Sequence, residues 1–170
     1  MKRNSNVVTA GGNPVTLLGK IVKVGANAKN FIATDTDLNP VQLSDYQGKA
    51  RIISAVNSVD TDVGAQQTRR FNLEASKLGG VQVIVISCDL PYALKRFCAT
   101  EGIDKILTIS DHKETDFGIK YGFLIEELRM LARGIVIVDQ RDEVRYVEIV
   151  KELSQHPDYD KALEEVKRLV

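Results

Sequence analysis

The chain has 170 residues, 44% of them hydrophobic and 27% charged, which suits one globular domain with a sizeable core and excludes a disordered or fibrous chain. Its 23 Lys and Arg balance 23 Asp and Glu, so no long-range field draws it to nucleic acid or to an anionic membrane. No window reaches the ~18 apolar residues of a spanning helix, and Lys2 and Arg3 precede no apolar run of the signal-peptide kind, so a cytoplasmic protein is expected.

Val7 to Ala10 and Val15 to Leu18 flank Gly11-Gly12-Asn13-Pro14 and read as a hairpin. Gly25 to Asn30 is a connector, and Phe31 to Thr34 and Val41 to Leu43 are short strands around a polar turn. Arg51 to Val56 is a continuous apolar run, as expected of a strand buried on both faces. The three-to-four spacing of Phe71, Ala75 and Leu78 predicts a helix over Val63 to Leu78, with Gly79-Gly80 supplying its left-handed cap. Val81 to Ser87 is the next buried strand. Asp89 is a candidate cap for a helix that begins at Pro91, runs to Glu101 and closes at Gly102. Leu107 to Ile109 is a strand and Thr115 to Tyr121 a short helix. Gly134 to Val138 and Val144 to Ile149 form a second hairpin, and Tyr159 to Val170 is an amphipathic helix with Leu163, Val166, Leu169 and Val170 on one side. Strand–helix–strand–helix followed by an antiparallel hairpin and a last helix is a thioredoxin-type order. No repeat, low-complexity tract or linker interrupts residues 1–170, so a single domain is expected.

Two cysteines, Cys88 and Cys98, are too few for a disulfide scaffold. Cys88 follows a buried strand and reads as core filler, and Cys98 as a half-buried helix residue. A Cys88–Cys98 disulfide stays open, because ten residues of spacing do not fix a Cα separation. His112 and His156 are distant from each other and from the cysteines, so no metal-ligand pattern emerges, and no glycine-rich phosphate loop is present.

One segment carries more information than any other. Ala55 to Asn72, with Asn57-Ser58-Val59-Asp60-Thr61-Asp62-Val63-Gly64 leading into Gln67-Thr68-Arg69-Arg70-Phe71-Asn72, resembles the active-site segment of the bacterial thiol peroxidases, a peroxiredoxin family. Ser87-Cys88-Asp89-Leu90-Pro91 through Cys98, Ser110-Asp111-His112 and Glu127 to Arg133 match the family in the same order. The resemblance implies a thioredoxin-like α/β fold, with a central mixed sheet flanked by helices and an N-terminal β-hairpin. It also implies reduction of hydrogen peroxide or alkyl hydroperoxides without metal or cofactor. A cysteine thiolate attacks the peroxide and becomes a sulfenic acid, a second cysteine condenses with it, and thioredoxin reduces the disulfide. A homodimer is implied as well.

Carried over residue by residue, the resemblance assigns Thr61 as the threonine that bonds the sulfur, Arg133 as the arginine that stabilises the thiolate, and Cys98 as the resolving cysteine. It places Gly64 at the attacking cysteine. Asn57 stands where the family has proline, and Asp62 where it has glycine. A glycine has no nucleophile, and the hydroxyls of Ser58 and Thr61 offer no route to a sulfenate, so peroxidase turnover is expected to be lost or strongly reduced. Two alternatives stand beside this: residual thiol redox chemistry or sensing through Cys98 or Cys88, and a non-catalytic, dimeric interaction protein. Taken alone, Thr61 would read as a turn or helix-cap residue and Arg133 as a strand-end charge.

Overall fold

A computed structural model describes residues 1–170. The chain opens with β1 (Arg3–Ala10) and β2 (Asn13–Leu18). Gly11 and Gly12 between them have φ of 58° and 82°, the pair of positive angles that a two-residue hairpin turn requires. β1 begins earlier than the expected Val7. A register shift between Asn4 and Val8, with Asn6 at φ 62°, keeps the polar start of the strand paired to β2.

β3 (Ile32–Thr34) and β4 (Pro40–Gln42) follow, then a 3₁₀ turn over Leu43–Tyr46 and β5 (Ala50–Ala55), in which all six residues are buried. The sequence continues through α1 (Asp62–Ala75), β6 (Val81–Ser87), α2 (Pro91–Glu101), β7 (Leu107–Ser110) and α3 (Asp116–Tyr121). Two short strands that the sequence pattern did not suggest, β8 (Leu124–Ile125) and β9 (Met130–Leu131), extend the N-terminal hairpin into a four-stranded sheet. The chain closes with β10 (Gly134–Val138), β11 (Val144–Ile149) and α4 (Tyr159–Lys167). No helix is long and apolar enough to cross a membrane.

The main sheet has the order β11-β10-β5-β6-β7-β3-β4. β5, β6 and β7 are parallel, and β10 and β11 add the expected antiparallel edge. Alternation along β5 decides which face each helix covers. Ile52 packs with Phe71 of α1 and with Ala162, Leu163 and Val166 of α4, while Ile53 and Ala55 pack with Phe117 and Tyr121 of α3 and with Val15 and Leu17 of the hairpin. Leu94 and Phe97 seat α2 on Val56 and Val85. The C-terminal end of β5 therefore runs straight into the start of α1, with α2 alongside.

Several expected boundaries are corrected. α1 ends at Ala75 rather than Leu78, because the backbone tightens into Lys77 N–H to Glu74 O and Leu78 N–H to Ala75 O bonds. The left-handed glycine is Gly80 alone, φ 76°, in the turn before β6 rather than at the helix end. α3 starts one residue later than expected, since Thr115 has φ 48°. α4 stops at Lys167, which leaves Val170 exposed rather than on the buried face. Leu90, not Asp89, is the N-cap of α2. Gly102 does close that helix in the left-handed conformation, with its N–H bonded to Cys98 O.

Candidate functional site

Four of the residues singled out by resemblance meet where β5 gives way to α1. Thr61 is the N-cap of α1 and accepts a hydrogen bond from Gly64 N–H at 3.1 Å. This satisfies one of the backbone donors that every helix start leaves orphaned. The hydroxyl of Thr61 is in turn directed at Ser58 O, 2.8 Å, with Asn57 Oδ1 at 3.2 Å. The bland reading of Thr61 as a cap thus holds structurally, and the same hydroxyl faces the site. Thr61→Val is expected to lower stability by about 1 kcal/mol, measurable by urea denaturation, because it removes that cap.

Arg133 enters from the turn before β10. It is buried, and its guanidinium donates to Leu153 O (2.9 Å), Gln67 Oε1 (3.1 Å) and Asn57 Oδ1 (2.8 Å). All three acceptors are neutral and no carboxylate forms an ion pair with it, so burial pushes its pKa down. Gln67 is itself fully buried and is fixed from behind by Ser54 Oγ at 2.7 Å and Ala55 O at 3.2 Å. Arg133 is therefore a rigidly held cation with no counter-charge of its own.

Asn57 occupies the centre of this arrangement. Its Oδ1 lies within hydrogen-bond distance of both Thr61 Oγ1 and Arg133 Nη2. Those are the two donors to which the resemblance gives the sulfur. Here Arg133 Nη2 donates to that amide oxygen, while the single Thr61 hydroxyl proton goes to Ser58 O.

Gly64 is the third residue of α1 and is buried. A Cβ built on it would lie 1.9 Å from Ser58 O and 2.6 Å from Thr61 Oγ1. Any side chain at this position collides with backbone, so the loop over Gly64 closes the space that a cysteine would need. That loop is anchored by Asp89, whose carboxylate accepts from Ser58 Oγ (2.6 Å), Val59 N–H (2.9 Å) and Ser87 Oγ (2.7 Å). These bonds are the reason Asp89 does not cap α2. Its role was hidden in the sequence, because three partners from two segments define it.

Asp62 is the first residue of α1, exposed, where its charge suits the helix N-terminus. With Asn57, Thr61, Val63 and Arg133 it lines a cavity of about 350 Å³ that Gly11, Glu152 and Ser154 complete. A larger cleft of about 660 Å³ lies elsewhere, between β3–β4 and the β7–α3 loop with His112, and contains none of the Thr61–Arg133 group.

The cysteines are free thiols outside this cluster. Cys98, on α2, is half-buried with Sγ 3.4 Å from Thr108 Oγ1, and burial raises its pKa more than that hydrogen bond lowers it. Cys88 packs against the core, and burial pushes its thiol up to about 12. No group of histidine, cysteine, aspartate and glutamate side chains is arranged to hold a metal ion.

Comparison with known proteins gives this geometry its family. The Redoxin family matches residues 23–163. A thiol peroxidase of Halalkalibacterium halodurans is 53% identical over 160 residues, covering 94% of this chain and 96% of that protein. The chain belongs to the bacterial thiol peroxidase family. The thiol peroxidase of Bacillus subtilis is 48% identical over 163 residues, covering 96% and 98%. A peroxiredoxin-like protein from Aquifex aeolicus superposes with a TM-score of 0.92 at 36% identity over the whole of both chains. A thiol peroxidase from Chromobacterium violaceum, 22% identical, shares the fold with a TM-score of 0.86, covering 99% and 98%. The thioredoxin-like peroxiredoxin fold expected from the sequence is the fold observed.

Proposed function

We propose that this chain is a thiol peroxidase family member whose peroxide-reducing reaction is lost, with the site closed over Gly64. The family reaction is thioredoxin-dependent reduction of hydrogen peroxide and alkyl hydroperoxides. The observation that carries the proposal is the 1.9 Å approach of Ser58 O to the Cβ position of Gly64. It means that the missing sulfur has left no empty place behind. The same reading is supported by Asn57 Oδ1, which takes up the Arg133 Nη2 donor, and by Ser58 O, which takes the Thr61 hydroxyl proton, the two donors that would otherwise polarise a thiolate and peroxide. No sulfenic acid forms at Gly64, so Cys98 has no partner to resolve and thioredoxin no disulfide to reduce there.

The test is a coupled assay with thioredoxin, thioredoxin reductase and hydrogen peroxide at micromolar protein. Turnover at the background rate is expected, and a rate near that of an active family member overturns the proposal. Residual redox chemistry at Cys98 or Cys88 is opposed by burial, which raises both thiols and so lowers the thiolate fraction that attacks peroxide. Alkylation with iodoacetamide at pH 7.5, read by mass spectrometry, is expected to be slower at both residues than at a free thiol. Labelling faster than a free thiol at Cys98 revives the sensing alternative.

What remains is a non-catalytic role in which surface and assembly matter, and we place a homodimer contact at the start of α2. Leu90 and Tyr92 are exposed there at 56% and 69%, and the Lys95–Asp37 ion pair brings exposed Leu38 alongside. Leu90→Glu with Tyr92→Glu is expected to convert a dimer to a monomer in sedimentation, and an unchanged mass removes this assignment.

A further inference from the structure

Away from the Thr61–Arg133 cluster, the connector between β2 and β3 folds over the end of α3 and leaves a cleft of about 170 Å³. Its apolar lining is half-buried Ile21 and Val22 with exposed Ala26, and Tyr121 lies buried beneath them. Its rim carries Lys20, Lys23, Lys29 and Lys120, and no acidic residue lines it. In a chain with zero net charge, this is a local concentration of one sign. Lys120 is satisfied by Asp116 and by Asn30 O, whereas Lys20, Lys23 and Lys29 form no ion pair.

The cleft is built rather than incidental. Gly19 and Gly122 let the connector approach α3 so closely that a Cβ on Gly19 would lie 2.0 Å from Ile119 O, and one on Gly122 2.6 Å from Ile21 Cα. Val22 N–H bonds Tyr121 O, and Gly25, Ala28 and Val144 N–H groups tie the connector to the β10–β11 hairpin. The Tyr121 hydroxyl donates to Lys29 O at 2.6 Å, which fixes floor to rim. A preformed apolar cleft needs little ordering when a ligand enters it.

We propose that this cleft binds a small monoanionic amphiphile, an aromatic or branched-chain monocarboxylate, with its apolar body on Ile21 and Val22 and its carboxylate among Lys20, Lys23 and Lys29. The volume limits the body to about one ring, the floor requires it to be apolar, and the rim fixes the sign of its head group. The site is separate from the proposed loss of peroxidase activity and does not depend on it.

Benzoate is the probe, titrated into the full chain and followed by backbone amide NMR, with benzyl alcohol and inorganic phosphate as controls. The expected result is saturable shifts at Ile21, Val22, Lys29 and Tyr121 with a Kd on the order of 1 mM. Neither control should reproduce them. Lys20→Glu with Lys29→Glu is expected to weaken benzoate at least ~10-fold while leaving the fold unchanged by circular dichroism. Three outcomes overturn the proposal: no saturation by ~20 mM benzoate, equal binding of benzyl alcohol (no role for the lysines), or equal binding of phosphate (simple charge attraction).

Discussion

Gly64→Cys is expected to restore no peroxidase turnover and to destabilise the protein by about 2–3 kcal/mol. Gly64→Ala isolates the reason. By helix propensity alone, alanine in place of glycine near a helix start gains up to ~1 kcal/mol. Here the added Cβ meets Ser58 O at 1.9 Å and Thr61 Oγ1 at 2.6 Å, and the first of these is backbone. Ser58 is held by Asp89 through its hydroxyl, and the next residue, Val59, through its N–H. Relief therefore requires moving an anchored loop, and the steric term outweighs the propensity term. Urea denaturation of Gly64→Ala reads the sign, and a variant as stable as the parent or more so shows that the loop yields freely. For turnover, the donors as well as the space must be recovered. Asn57→Pro removes the amide oxygen that accepts from Arg133, and the Asn57 N–H donates no hydrogen bond that proline would break. The triple change Asn57→Pro, Asp62→Gly and Gly64→Cys frees the Arg133 donor but leaves Ser58 O anchored over position 64, so it is expected to stay at the Gly64→Cys rate in the coupled assay, and turnover above that rate contradicts the account of the closed loop.

The sequence carried the fold in its periodicities. The buried run of β5, the amphipathic spacing of α1 and the glycine at Gly102 are local signals, and each produced its element. β8 and β9 left no such signal, because two-residue strands are defined by their partners in β2 and each other. The site is legible one residue at a time: the sequence points to Thr61, Gly64, Asn57 and Arg133, and they do meet. What they do to one another was not legible. Gln67 is visible only as part of a motif, yet it accepts from Arg133 Nη1 beside the Nη2 that Asn57 holds. Asp89 carried a plausible local role as a cap, and long-range bonds to Ser58 and Val59 displaced it. The closure of the loop over Gly64 depends on the position of one carbonyl oxygen, which no pattern of residue types encodes. Gly64 read in sequence as a missing group; in the fold it is a position that admits no group.

Asn57→Asp is expected to stabilise the protein by about 2 kcal/mol at pH 7, a gain that disappears in acid. Arg133 is already desolvated and donates only to Leu153 O, Gln67 Oε1 and Asn57 Oδ1. A carboxylate in place of the Asn57 amide puts a full negative charge at the atom now 2.8 Å from Nη2, without burying a second cation. It also lies 3.2 Å from Thr61 Oγ1, whose proton turns from Ser58 O to the new charge. Both interactions favour the ionised form, while partial burial disfavours it; the charge contact at hydrogen-bond distance is the larger effect. The folded-state pKa of the new carboxyl is then depressed below the ~3.9 of an unfolded aspartate. A depressed acid contributes stability that is present above the unfolded pKa and is lost as pH falls through the folded pKa. Urea denaturation of parent and variant at pH 7 and again near pH 2 measures both ends of that window. If desolvation wins instead, the variant is the less stable at pH 7 and recovers as pH falls. That result would mean that the neutral oxygens around Arg133 already compensate its charge, and that the site has no place for an anion.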